Sequence, residues 1–245
     1  MKTARAAVVA ALAALALGAT PSSPPVRVLV YTFTYTNFTT ETIHDSGINA
    51  PAFHAPVSGV AESRAADSDL GTITVEVLRV QPDTGLIVSV AEDAHGHRSA
   101  RPATCVVYGN TNVICDPDVR VNTEELSLLR LLGSNFVDTN QIDAKNHWRV
   151  DQSGNRMSDV ADFSIDKNQD GMLKISSTRI LRETDAIGFV STTNGTISYD
   201  WGRLVPTSVV DDETIRQPGS LDRYSTVRTQ TSLTLIRDSA AAKTP

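Results

Sequence analysis

The chain has 245 residues, 40% hydrophobic, 20% charged and 5% aromatic, and its 22 Lys and Arg against 28 Asp and Glu give a formal net charge of -6. That length supplies one sizeable core or two small ones, and apolar residues recur too evenly for a disordered acidic chain. The acidic balance excludes strong non-specific nucleic-acid binding, which rests on Lys and Arg neutralising phosphates.

Residues 1–19 read as a secretory signal: Lys2 and Arg5 make a basic start, Ala6 to Leu17 is an Ala/Val/Leu stretch, and Gly18 and Ala19 are small. This pattern is the one a signal peptidase accepts, and the apolar run is shorter than the roughly 20 residues a membrane-spanning helix needs. Loss of Lys2 and Arg5 would take the net charge from -6 to near -8. Residues 20–25 are rich in Pro and Ser and are expected to be a disordered leader, as is a frayed tail at 239–245. No later stretch reaches transmembrane length, so the expected product is exported, periplasmic or extracellular, and not membrane-spanning.

From residue 26 to 238 most segments alternate apolar and polar residues at period two, the mark of half-buried strands. Tyr31, Phe33 and Tyr35 alternate with threonines, and Ile73, Val75 and Val77 with Thr72, Thr74 and Glu76. A turn at Pro82 to Gly85 precedes a strand over Leu86 to Val90. The segment from Cys105 to Cys115 folds about Asn110 into a hairpin with a three-residue loop, closed by Tyr108 and Asn112. That register sets the two cysteines opposite one another, within disulfide range, and an oxidising compartment lets the bond form. Asn194-Gly195 predicts a two-residue hairpin turn, and Asp211-Asp212-Glu213 a solvated turn, with a carboxylate cluster as the alternative. A last strand runs from about Tyr224 to Ile236.

One segment departs from period two. Asn122 is a favourable N-cap, Glu125 completes a capping-box spacing, and Leu126, Leu128, Leu129, Leu131 and Leu132 follow before Gly133. The expected helix over 122–132 carries leucine round most of its circumference and so belongs under the sheet, on its concave face. The resulting fold class is mainly β: a curved antiparallel meander of about ten strands, half-barrel-like, with one main helix, in a single domain. The exported start, the strand meander, the helix at Asn122–Leu132 and the Ile197-Ser198-Tyr199-Asp200-Trp201 strand together resemble half-barrel envelope proteins of the lipoprotein-localisation-factor type, the LolA/LppX-like group. The resemblance covers about Val26 to Asp238 and implies an exported protein whose sheet curls around helices that plug an apolar cavity.

Candidate chemistry is sparse. Asp166-Lys167-Asn168-Gln169-Asp170-Gly171 spells the start of a calcium loop, with Asp166, Asn168 and Asp170 as ligands, but position twelve is Ser177 where a bidentate Glu belongs. The flanks read as strands, so a hairpin turn is the expected structure and no metal is assigned. His95-Gly96-His97 lies in a polar stretch, and His44, His54 and His147 are scattered. Ser164-Ile165-Asp166-Lys167 spells Ser-x-x-Lys inside a strand pattern, where the two side chains do not meet across a helical turn. Asn37-Phe38-Thr39 and Asn194-Gly195-Thr196 match the glycosylation sequon. No cofactor is implied. The leading expectation is a non-enzymatic envelope protein that holds a lipid or other apolar or amphiphilic ligand between sheet and helix, with Leu126, Leu129, Leu132, Trp148 and Trp201 as candidate contacts. Such a carrier should enclose at least about 300 Å³. The alternatives are a module that docks another envelope protein, and an exported hydrolase.

Overall fold

The computed structural model describes residues 24–43, 59–61, 66–81, 85–94, 97–98, 101–133, 135–137, 142–154, 157–183, 190–218 and 223–240. The export signal at 1–19, most of the leader and tail, and His44, His54 and His95 lie outside the described residues.

The strands are β1 (Arg27–Ile43), β2 (Gly59–Ala61), β3 (Ala66–Gln81), β4 (Gly85–Ala94), β5 (His97–Arg98), β6 (Ala103–Val107), β7 (Val113–Cys115), β8 (His147–Asp151), β9 (Met157–Gln169), β10 (Met172–Glu183), β11 (Val190–Asp200), β12 (Val205–Pro218) and β13 (Arg223–Asp238). The helix α1 (Thr123–Arg130) falls between β7 and β8. Eleven strands follow one another in an open antiparallel sheet in the order β7-β6-β4-β3-β1-β13-β12-β11-β10-β9-β8, with β2 beside β1 and β5 beside β4. First and last long strands are neighbours at the centre, so the sheet is two meanders joined along β1 and β13. Arg27 pins that seam: its guanidinium binds both carboxylate oxygens of Asp238, at 3.0 and 2.7 Å. This contact holds the Asp238 carboxyl below the usual carboxylate range.

Alternation sorts the inner face from the outer. Leu29, Tyr31 and Phe33 of β1, Ile73, Val75 and Val77 of β3, Val88 and Val90 of β4, Leu173 and Ile175 of β10, and Ile197 and Tyr199 of β11 are buried in one core with Leu128 and Leu129 of α1. Strands from both meanders reach the same core only because the sheet curls around it, as right-handed twist accumulated over many strands allows.

The capping geometry at the helix start matches the sequence expectation: the Asn122 N–H donates to Glu125 Oε2 at 2.8 Å. Regular helix ends at Arg130, before Leu131 and Leu132, but both leucines remain buried in the following turn. Cys105 stands opposite Cys115 and the two form a disulfide with Cα atoms 4.0 Å apart, while Tyr108 N–H donates to Asn112 O at 2.8 Å to close the loop.

Two expectations are overturned. Asn194-Gly195 is not a turn: β11 runs through it, pairing Asn194 with Thr178 and Asp212, and Gly195 with Ser177 and Asp211. Gly195 lacks a side chain because its neighbours occupy the space; an added Cβ would lie 2.2 Å from Asp211 Oδ1 and 2.5 Å from Ser177 Oγ. Nor is Asp211-Asp212-Glu213 a turn, since it sits inside β12. Asp212 points outward to Arg228, whose Nε lies 2.9 Å from its Oδ1, while Asp211 and Glu213 point inward.

Candidate functional site in the hollow of the sheet

The inner face of the second meander changes character along its strands. One cross-strand row, Phe33-Leu233-Val209-Ile197-Ile175-Ile165, is wholly apolar. The next inner row is Tyr35-Thr231-Asp211-Gly195-Ser177-Phe163, and the one after it Asn37-Thr229-Glu213-Thr193-Arg179-Ala161. Polar groups on a core-facing surface are the informative departure from a packed interior.

Above this boundary lies a cavity of about 120 Å³ between α1 and strands β8 to β13. Leu131, Phe136, Phe163, Ile197, Val209 and Leu233 give it an apolar floor, and Glu124, Arg130, Asp159, Arg179, Asp211 and Glu213 supply charge. Phe136, which follows α1, packs against three rings: Trp148 at 5.8 Å, Phe163 at 5.2 Å and Tyr199 at 5.3 Å. A second, more polar cavity of about 320 Å³ lies on the far side of the α1 N-terminus, lined by Phe33, Tyr35, Asp69, Glu92 and Arg120 among others. Thr123 and Glu124 line both spaces, so the first turn of α1 divides them.

The charges are unevenly matched. Arg179 grips Asp159 through Nε at 2.7 Å and its terminal nitrogen at 2.6 Å, and Arg130 stands 3.7 Å from the same carboxylate. Burial opposes ionisation of Asp159, but the Arg179 hydrogen bonds and charge outweigh it and hold the carboxyl below its ordinary value. Both guanidiniums of the cavity are thereby committed to one acid. Asp211 has no such partner: burial, then the charge of Glu213, push its carboxyl up to about 6, against a smaller opposing effect of Arg179. Burial likewise raises Glu124, with Glu92 and Glu213 adding repulsion. Glu213 accepts a hydrogen bond from the buried Ser191 hydroxyl at 2.5 Å.

Of the contacts expected from sequence, Leu129 and Leu132 are fully buried in the core and Leu126 is half-buried. Trp148 is buried and stacked on Phe163 at 5.1 Å, its indole N–H without a hydrogen-bond partner. Trp201 is 37% exposed in the turn after β11. None of these five is among the residues that line the two cavities. Asp166 and Asn168 lie along β9, and Asp170-Gly171 is a two-residue turn with φ of 53° and 80°, the signs of a type I′ hairpin. Asp166 accepts a hydrogen bond from Ser176 across that hairpin. Among the described residues no three His, Cys, Asp or Glu side chains are grouped to hold a metal ion. His147 on edge strand β8 is flanked by Asp143 at 3.7 Å and Asp162 at 3.4 Å and pairs in register with Ser164, but it lies outside both cavities. Among the described residues no helix is long and apolar enough to cross a membrane.

The sequence reading missed Phe136 and Arg179, and had Asp211 and Glu213 only in the carboxylate-cluster alternative to a turn. The available signal was period two: Val209, Asp211, Glu213 and Ile215 share one face of β12, and the acids replace core residues there.

No family model and no curated protein matches the chain. Among solved structures, it resembles lipovitellin, in a structure describing lipid–protein interactions, at 10% identity and a TM-score of 0.41, over 87% of this chain and 25% of that one. It also resembles an outer membrane channel from Pseudomonas putida F1 at 10% identity and a TM-score of 0.22, over 89% of this chain and 100% of that one. The chain thus spans about a quarter of the lipovitellin chain. Likenesses this slight carry no argument about function. What the coordinates define is a mainly β protein: an open, curled antiparallel sheet with one helix in its hollow, stapled by a disulfide near one edge.

Proposed function

We propose that the protein is an exported, non-enzymatic binding protein that holds a compact amphiphilic ligand between α1 and the inner face of β9 to β13. The observation that carries this reading is the cavity whose floor is apolar and whose wall is charged. At about 120 Å³ this cavity suits a group near benzene in size, whereas drug-sized and lipid-sized ligands need ~300–1,000 Å³; the neighbouring cavity of about 320 Å³ reaches that range, but its lining is mainly polar. Export rests on the signal pattern at 1–19 and on the Cys105–Cys115 disulfide, which oxidising compartments favour. The half-barrel envelope proteins supply an architectural parallel, a curled sheet around a helix.

The docking-module reading has less support. The two edge strands are only three and five residues long, and the exposed Val210 and Leu70 of the outer face are separated by Ser232 and Thr34. Short edges and single apolar residues are ordinary features of a surface.

Native mass spectrometry of protein recovered gently from an exporting host tests the proposal. The expected result is an added small-molecule mass in the wild type that disappears in Val209→Trp, which fills the cavity. An apo mass in both, with no thermal shift from millimolar hexylamine, hexanol or hexanoate, overturns it.

A further inference from the structure

The floor and wall of the cavity together specify more than amphiphilicity. Along β12 the inner positions read Val209, Asp211, Glu213, so apolar surface gives way to two successive carboxylates about 7 Å apart along the strand. Gly195, opposite Asp211 on β11, leaves open the volume into which the Asp211 carboxylate and the Ser177 hydroxyl lean. Four carboxylates line the space against two guanidiniums, and both guanidiniums are turned to Asp159. Among the described residues, Glu124, Asp211 and Glu213 therefore face the cavity without a cationic partner bonded to them. Such acids, half out of water, lower their free energy when a cation enters, and an ordinary anion would be repelled.

Resting on the binding reading above, we infer that the ligand of this cavity is an amphiphilic amine, its ammonium between Asp211 and Glu213 and its apolar body over Val209, Ile197 and Leu233. An ammonium offers three donors, enough for both carboxylates and a neighbouring hydroxyl such as Ser177 or Thr231. A bare metal ion is a poorer match, because it would need six or more oxygens or a tight set of ligands, and no such grouping exists among the described residues.

The inference also fixes a pH dependence. The titratable groups that line the cavity with Asp211 are Glu213 on its own strand, Arg179 on β10, Asp159 on β9, and Glu124 and Arg130 on α1; among the described residues β11 and β13 add no charge to the lining, only Thr193 and Thr231 as polar groups. With Asp211 at about 6, acidification from pH 7.5 to pH 5 removes its charge, while an alkylamine stays protonated throughout. Amine affinity should therefore fall severalfold between pH 7.5 and pH 5, and affinity for an uncharged alcohol should not.

Three probes of equal length separate the possibilities: hexylamine, hexanol and hexanoate, titrated by calorimetry and thermal shift into the full mature chain at pH 7.5 and pH 5. The expected result is hexylamine binding at least tenfold tighter than hexanol at pH 7.5, and hexanoate weakest. Asp211→Asn and Glu213→Gln should each cost about tenfold for hexylamine and leave hexanol unchanged, which also reports that the cavity is intact in the variants. Hexanol equal to hexylamine, or hexanoate tighter, overturns the amine assignment while the binding function stands. Failure of all three probes overturns both.

Discussion

Gly195 shows at the residue level how one position acquires two meanings. In sequence, Asn-Gly is the strongest short hairpin signal, because both turn residues of a type I′ turn take positive φ. In the fold, that role belongs to Asp170-Gly171, and Gly195 serves close approach instead. Gly195→Ala should therefore destabilise by about 1–3 kcal/mol in urea unfolding, since the new methyl overlaps Asp211 and Ser177. In a background carrying both Asp211→Ala and Ser177→Ala, which removes the two overlapping atoms, the same change should be neutral or stabilising by up to about 1 kcal/mol, the usual gain of replacing a strand glycine. Equal penalties in both backgrounds would show that side-chain crowding is not the reason for glycine. Asp211 itself carries a second prediction. Its carboxyl titrates at about 6 in the folded protein against an ordinary value near 3.8, so the folded state binds that proton more tightly than the unfolded chain. Any stability linked to it is fully present below about pH 4 and is lost as pH rises through about 6. Asp211→Asn should accordingly be more stable than wild type at pH 8, by about 1–2 kcal/mol after allowance for solvent screening, with the gap closing by pH 4. A gap of the same size at both pH values would refute the burial of this charge.

Elements differ in how plainly the sequence announces them. Strands β1, β3 and β13 were legible because one face is apolar and the other threonine-rich, and α1 because capping residues and leucines at helical spacing agree. The hairpin β6–β7 was legible because two cysteines can face each other in only one register of so short a loop. Strand β12 was hidden: three consecutive acids show no alternation in polarity, although successive ones face opposite sides of the sheet. The candidate site was hidden for the same reason, since its charged groups come from three strands, β9, β10 and β12, and a helix, and meet only through the register of the sheet. The β6–β7 staple gives a direct test at this scale. Cys105→Ser with Cys115→Ser should cost about 2–3 kcal/mol in denaturant unfolding, the chain-entropy value for a short loop, and the unreduced, denatured wild type should not react with thiol reagents. Stability unchanged in the double variant would mean that the edge is held by β4 and β6 alone.

The molecule as a whole is arranged so that its helix is topologically separable from its sheet. The connection 116–146 leaves one edge strand, β7, and returns to the other, β8, so α1 closes the open side as a strap. It is held by the buried Leu128 and Leu129, each worth about 1.5–3 kcal/mol, by Phe136 among its ring partners, and by polar contacts such as Asn122 Nδ2 to Glu92 Oε2 at 3.0 Å and Asn135 N to Gly109 O at 3.2 Å. Lifting the strap would break none of the ladder hydrogen bonds within either meander, whereas separating β1 from β13 divides the core. A cavity bounded on one side by such a strap can therefore widen and narrow without unfolding of the sheet. Native-state hydrogen exchange should show the amides of 126–130 opening with a lower free energy, and a weaker denaturant dependence, than those of Tyr31, Phe33 and Leu233 in the central pair. Leu128→Ala should widen that difference by about 2–4 kcal/mol, lowering protection across α1 and leaving β1 and β13 nearly unchanged. Loss of equal size in helix and central strands would mean that strap and sheet unfold as one unit, and ligand entry would then require another route than movement of α1.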